Sequence, residues 1–292
     1  MATGLAAVGG AGPPGIVVAV VLAAAVAHAG WNLCAKMIAD QVVAFWLISG
    51  AAAIAGAALW AAAGSPQGAA WPYLATSVGL HVVYNLSLLN SYRLGDLSRV
   101  YPLARGLAPL LVTGGAALAA GERLSPLQLG GIAVIAGGLV SLVWLGGGAP
   151  GGDRRATVLA VTTGVLIAAY SLSDGLGVRH AHNTLGYAGV LFLAESGVLV
   201  AGLGLWRRRL LPAAPSRTWA IGTFGGALSV ATYCAVLWAQ TRLDLGVVSA
   251  LRETSVVAAA LLGAVVLHEG SAARRVVAAA VVCAGVAVLV IA

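Results

Sequence analysis

Apolar residues in this chain come in unbroken runs rather than alternating stripes. Ten stretches of about 20 apolar residues, the length that crosses a bilayer as a helix, are separated by short polar breaks. The pattern predicts helices over Ile16–Ala35, Val42–Ala63, Trp71–Tyr92, Val100–Ala120, Leu127–Leu145, Ala156–Leu176, Leu185–Trp206, Trp219–Gln240, Gly246–Leu267 and Val276–Ile291. The breaks hold most of the charge and the helix-ending residues, as in Gly64-Ser65-Pro66, Gly121-Glu122-Arg123 and Gly270-Ser271. Links this short force consecutive helices to run antiparallel. A membrane barrel would instead show alternating segments of about 10 residues, and none occur.

Composition turns the pattern into a class. Hydrophobic residues make up 60% of the 292 and charged residues 9%, with a mean hydropathy of +0.97. A soluble domain carries about 25% charged residues and could not keep this much apolar surface from water. A soluble enzyme and a disordered chain are excluded, and an all-α integral membrane protein is expected. The +7 net charge comes from arginines dispersed between apolar runs, so no basic face for nucleic acid is expected. Cys34, Cys234 and Cys283 sit inside apolar runs without a CxxC pair and read as packing residues. The 40 glycines read mainly as close helix packing. The N-terminal stretch has no positive region, so the first run is expected to be a retained span.

The chain also repeats itself. The segment from Arg105 to Glu122 resembles the one from Arg252 to Glu269 at the same interval. Tyr92-Arg93-Leu94-Gly95-Asp96 resembles Thr241-Arg242-Leu243-Asp244, and Trp31-Asn32…Lys36 resembles Ser173-Asp174…Arg179. Two five-helix repeats, over residues 16–147 and 156–292, are expected. An odd number of spans per repeat makes the second copy inverted, an architecture of many secondary transporters.

These residues resemble the EamA-type ten-helix carriers of the drug/metabolite transporter superfamily. The resemblance rests on His28-Ala29-Gly30-Trp31-Asn32 with Lys36, on Pro109 followed by Gly121-Glu122, and on Val248-Ser249-Ala250-Leu251-Arg252-Glu253 with Glu269. It implies a central cavity lined by spans one to four and six to nine, with spans five and ten at the periphery.

Charged and polar residues inside the runs are the candidate site, because each is costly in hydrocarbon unless it faces a cavity or a partner. Arg105 and Arg252 hold equivalent repeat positions, and a guanidinium fork suits a carboxylate or phosphate. The competing reading is a structural ion pair, such as Arg252 with Glu195. Tyr84 and Asn85 share one helical face with His81, at i, i+3 and i+4. Tyr233, Tyr101, Trp31 and Asn32 complete the expected substrate-binding set. Glu195, at the centre of the seventh span, is the first candidate for proton coupling, with Glu253 and His81. Pro109 removes the hydrogen bond that the Arg105 carbonyl would accept, and a kink is expected there.

His180 and His182 lack an acidic or cysteine partner nearby, so no metal is expected, and no cofactor. No P-loop, HExxH or GxSxG is present. The expected protein is not an enzyme. It is a secondary transporter, an exporter, of a small polar metabolite such as an amino acid or organic anion. It would act in the cell inner membrane as a monomer or homodimer, with a proton gradient as candidate driving force. A non-transporting membrane partner and an intramembrane enzyme on a lipid-linked substrate are the alternatives. Loop charge favours outside termini, since Arg123, Arg179 and Arg242 share one side and the remaining loop cations the other. The resemblance implies inside termini.

Overall fold

The structure is a computed structural model of the chain and describes residues 14–94, 97–145, 154–207, 215–259 and 272–292. Helices account for nearly all of it, and no strand occurs among the described residues. They are α1 (Pro14–Met37), α2 (Gln41–Ala63), α3 (Trp71–Leu94), α4 (Leu97–Ala119), α5 (Pro126–Leu145), α6 (Arg154–Ala181), α7 (Thr184–Arg207), α8 (Ser216–Gln240), α9 (Leu245–Arg252) and α10 (Ala272–Ile291). Five of them are long and apolar enough to cross a membrane: Gly15–Met37, Gln41–Ala63, Thr157–Ala181, Thr184–Trp206 and Ser216–Gln240.

The turns follow local chemistry. Asp40 caps α2 by accepting from the Val42 and Val43 N–H groups at 2.9 and 3.3 Å. Gly64 ends α2 at φ 79, a conformation that glycine adopts at no steric cost. Ser125 and Gln128 bond reciprocally at the start of α5, a capping box. Asn183 accepts from Gly186 N–H at the start of α7 while donating to the Ala63 carbonyl at the end of α2.

Several helices begin a few residues early, and two differ from the sequence expectation in ways that bear on the site. The sixth helix does not stop at Leu176 but runs on to Ala181. The ninth is not one continuous span. α9 stops at Arg252, Glu253 makes a tight turn by donating its N–H to Ala250 O, and helix resumes over 254–259. The rest of the expected span, with Glu269, lies outside the described residues. Pro109 leaves α4 unbroken.

α2 packs on α7 and α8, α1 on α8, and α4 on α5 and α6, while α10 lies against α5. Apolar residues such as Ile54, Leu118 and Phe224 point outward, while charged Arg105, Asp174, Glu195, Arg252 and Glu253 are buried. That inversion of the soluble pattern fits a lipid solvent. Close helix contact depends on missing side chains. A Cβ at Gly56 would lie 2.7 Å from the Leu193 nitrogen and 2.9 Å from the Gly189 oxygen. Gly56→Val is therefore expected to lower stability by about 1–3 kcal/mol, read as thermal unfolding in detergent. Gly137→Val, on an open face of α5, is expected to leave it unchanged.

Candidate functional site

A cavity of about 70 Å³ lies between α1, α2, α3, α6, α7, α8 and α9. Its wall holds His28, Trp31, Ser49, His81, Tyr84, Asn85, Tyr170, Phe192, Glu195, Thr232, Tyr233 and Arg252. This space accommodates several waters. Most lining residues sit well inside their helices, while Arg252 ends α9.

Helical spacing explains the wall. His81, Tyr84 and Asn85 share a face of α3, as the sequence suggested, and Asn85 Nδ2 donates to the His81 carbonyl at 2.9 Å. His28 and Trp31 come from one face of α1, with Trp31 Nε1 donating to His28 Nδ1 at 3.1 Å. The rings form a continuous aromatic surface. His81 and Tyr170 centroids are 4.1 Å apart, Tyr84 and Tyr170 5.2 Å, and Phe192 meets Tyr233 edge to face.

Charge is set into this surface at two points. Arg252 lies with its guanidinium 5.5 Å from the Tyr233 ring centroid and donates to Ser171 Oγ at 3.4 Å. Glu195 sits in the same wall, 5% exposed. The two do not pair within 4 Å, and no carboxylate stands within that distance of Arg252 among the described residues. Glu195 Oε2 and Thr232 Oγ1 are buried without a hydrogen-bond partner among the described residues. Buried polar atoms are normally satisfied, so both atoms have bonding capacity left over in the cavity wall.

Beneath the wall, Asp174 is fully buried. It accepts hydrogen bonds from Tyr187 at 2.9 Å and from Tyr233, and His81 Nε2 stands 3.8 Å away. The apolar pattern places Asp174 near a helix end. The longer α6 puts it in the packed interior, where it fixes Tyr233.

The structure thus brings together Trp31, His81, Tyr84, Asn85, Glu195, Tyr233 and Arg252. Three others lie elsewhere. Asn32 donates to the His28 carbonyl one turn back and is buried outside the wall. Arg105 and Glu253 engage each other where α4 meets α9, with Arg105 Nε 3.3 Å from Glu253 Oε2 and Nη2 donating to Ser255 Oγ at 2.6 Å. The Tyr101 side chain lies outside the described residues. A signal for this split stands in the sequence. Glu253 and Ser255 stand at the same offsets from Arg252 as Gly106 and Ala108 from Arg105. Glu253 supplies Arg105 with an acid, whereas Gly106 stands at the matching position beside Arg105.

No group of three metal-ligating side chains occurs among the described residues. Residues 154–291 match a known family. The match is to the EamA-like transporter family. The EamA-like match spans Asp174, Glu195, Tyr233, Arg252 and Glu253, and bears out the resemblance drawn from the sequence. With the apolar helices, the match supports a multi-pass membrane protein. A solved structure described only as a crystal structure of a protein superposes with TM-score 0.75. It is 19% identical, and the match covers 96% of this chain and 98% of that one, a likeness of fold. No curated protein matches the sequence.

Proposed function

We propose that the chain is a secondary transporter of a small zwitterionic metabolite, of the amino-acid type, working by alternating access. Arg252 and Glu195 carry the reading: opposite charges face one aromatic-walled cavity without neutralising each other. A charge left unpaired in hydrocarbon is costly, and a solute with a carboxylate and an ammonium group neutralises both at once. The halves 16–147 and 156–292 would be inverted repeats of five spans each, giving two related states that open to opposite sides. The cavity wall is built from helices of one chain, in keeping with a monomer or a homodimer of such chains. Export across a cell inner membrane is part of the same proposal.

Glu195 is also the proposed proton-coupling group. It is a titratable carboxyl in the cavity wall, which His81 also lines. Glu253 is a weaker candidate, held by Arg105. Protein reconstituted in vesicles is expected to show saturable, gradient-dependent uptake of an amino acid found by a thermal-shift screen, where mass action makes a bound solute stabilising. Glu195→Gln is expected to abolish the pH dependence of uptake while solute exchange persists. Unchanged pH dependence in that variant rules out Glu195 as the coupling group, and no uptake by the parent protein under any gradient rules out transport.

A further inference from the structure

α9 carries Arg252 into the cavity, yet its first turn is not capped by its own sequence. Asp244 occupies the N-cap position and makes no side-chain bond there. The carboxylate of Glu122, from the turn after α4, takes the place instead. Both of its oxygens accept from the Leu245 N–H, at 3.1 and 2.9 Å. Arg179, in the last turn of α6, holds that carboxylate at 2.8 Å. The same guanidinium clasps the turn before α9, donating from Nε to Gln240 O at 2.8 Å and from Nη2 to Leu243 O at 2.9 Å. Four segments meet through two side chains.

This cluster sits at the end of the bundle where α2, α4, α6 and α8 finish. Other cross-links close the same end. Gln67 N–H donates to Ala181 O at 3.2 Å, Asn183 donates to Ala63 O at 2.6 Å, and Tyr73 stacks on His180. Deeper, Ser173 donates to Tyr73 O at 2.8 Å and Asp174 binds its tyrosines. The cavity begins only above these layers. Of these links, the Glu122–Arg179 pair alone combines two full charges, and it grips the helix that bears Arg252. We propose that Glu122 and Arg179 are positioning residues that seal this end of the pathway, and that their separation from the start of α9 admits the cavity to this side of the membrane.

The proposal rests on the transport reading but is tested without a solute. The full chain, freed of Cys34, Cys234 and Cys283, receives Ser49→Cys as a reporter in the cavity wall. An impermeant maleimide is then applied to membrane vesicles of each orientation. The parent is expected to label preferentially from the side opposite the seal. Glu122→Ala and Arg179→Ala are expected to raise labelling from the sealed side about tenfold, the shift that loss of one charge-assisted contact brings to a two-state equilibrium. Glu122→Gln retains an acceptor for Leu245 N–H and loses the charge, so a smaller rise is expected. It also decides the matter should the alanine variants fail to fold. Arg242→Ala, an exposed arginine of the same turn bonded to Trp238 and Thr241, is expected to change nothing. Unaltered labelling from the sealed side in folded variants overturns the proposal, and so does equal labelling of the parent from both sides. Absent uptake with responsive labelling would count against transport only.

Discussion

Glu253→Ala is expected to lower the stability of the detergent-solubilised protein by about 3–5 kcal/mol, the cost of stranding one partner of a buried ion pair. Arg105 and Glu253 are 2% and 1% exposed, so neither has water to fall back on. Without Glu253, Arg105 keeps its bond to Ser255 but loses the carboxylate that faces it in the bundle interior. Removing both charges together, as Arg105→Met with Glu253→Leu, is expected to recover most of the loss. Apolar packing of similar volume often equals a buried pair in stability. Thermal unfolding followed by size-exclusion chromatography checks the cycle. A double variant no more stable than Glu253→Ala alone would mean that the helix break at Glu253, rather than the charge, needs the acid.

The helices and one wall of the cavity were legible because both follow from periodicity. The apolar run Val42–Ala63 gave α2 to within a residue, since Asp40 and Gly64 end it by local bonding. His81, Tyr84 and Asn85 faced one way because a helix repeats every 3.6 residues. The division of labour between the two arginines was less legible. Their equal places in the repeat suggested that they converge, and their partners are chosen across helices, where no period applies. The substitutions that separate them, Glu253 for Gly106 and Ser255 for Ala108, are nevertheless visible in the sequence. Asp174 was obscured by a boundary misplaced by five residues, which moved a buried acid to an apparent helix end. The foreign cap of α9 by Glu122 was hidden for a similar reason. Asp244 stands where a cap belongs, and nothing local reveals that a carboxylate from another turn has displaced it.

Arg252→Ala is expected to weaken binding and uptake of a zwitterionic solute about 100-fold. A guanidinium offers a carboxylate two parallel charge-assisted hydrogen bonds, each worth about 1.5–3 kcal/mol before the net is reduced by desolvation. Arg252→Lys restores charge but not the planar fork, so a partial recovery is expected. The decisive comparison uses two analogues of the same solute. One lacks the carboxylate and the other lacks the amine. If Arg252 meets the carboxylate, the variant and the parent bind the decarboxylated analogue equally, because that ligand has no group for the guanidinium to hold. Glu195→Gln is expected to give the mirror result, indifferent to the analogue without an amine. Equal losses for every analogue in Arg252→Ala would instead assign the arginine to holding Ser171 and the Tyr233 ring in place. The cavity would then owe its selectivity to the aromatic wall and to Glu195 alone, and a cationic rather than zwitterionic solute would best fit its charge.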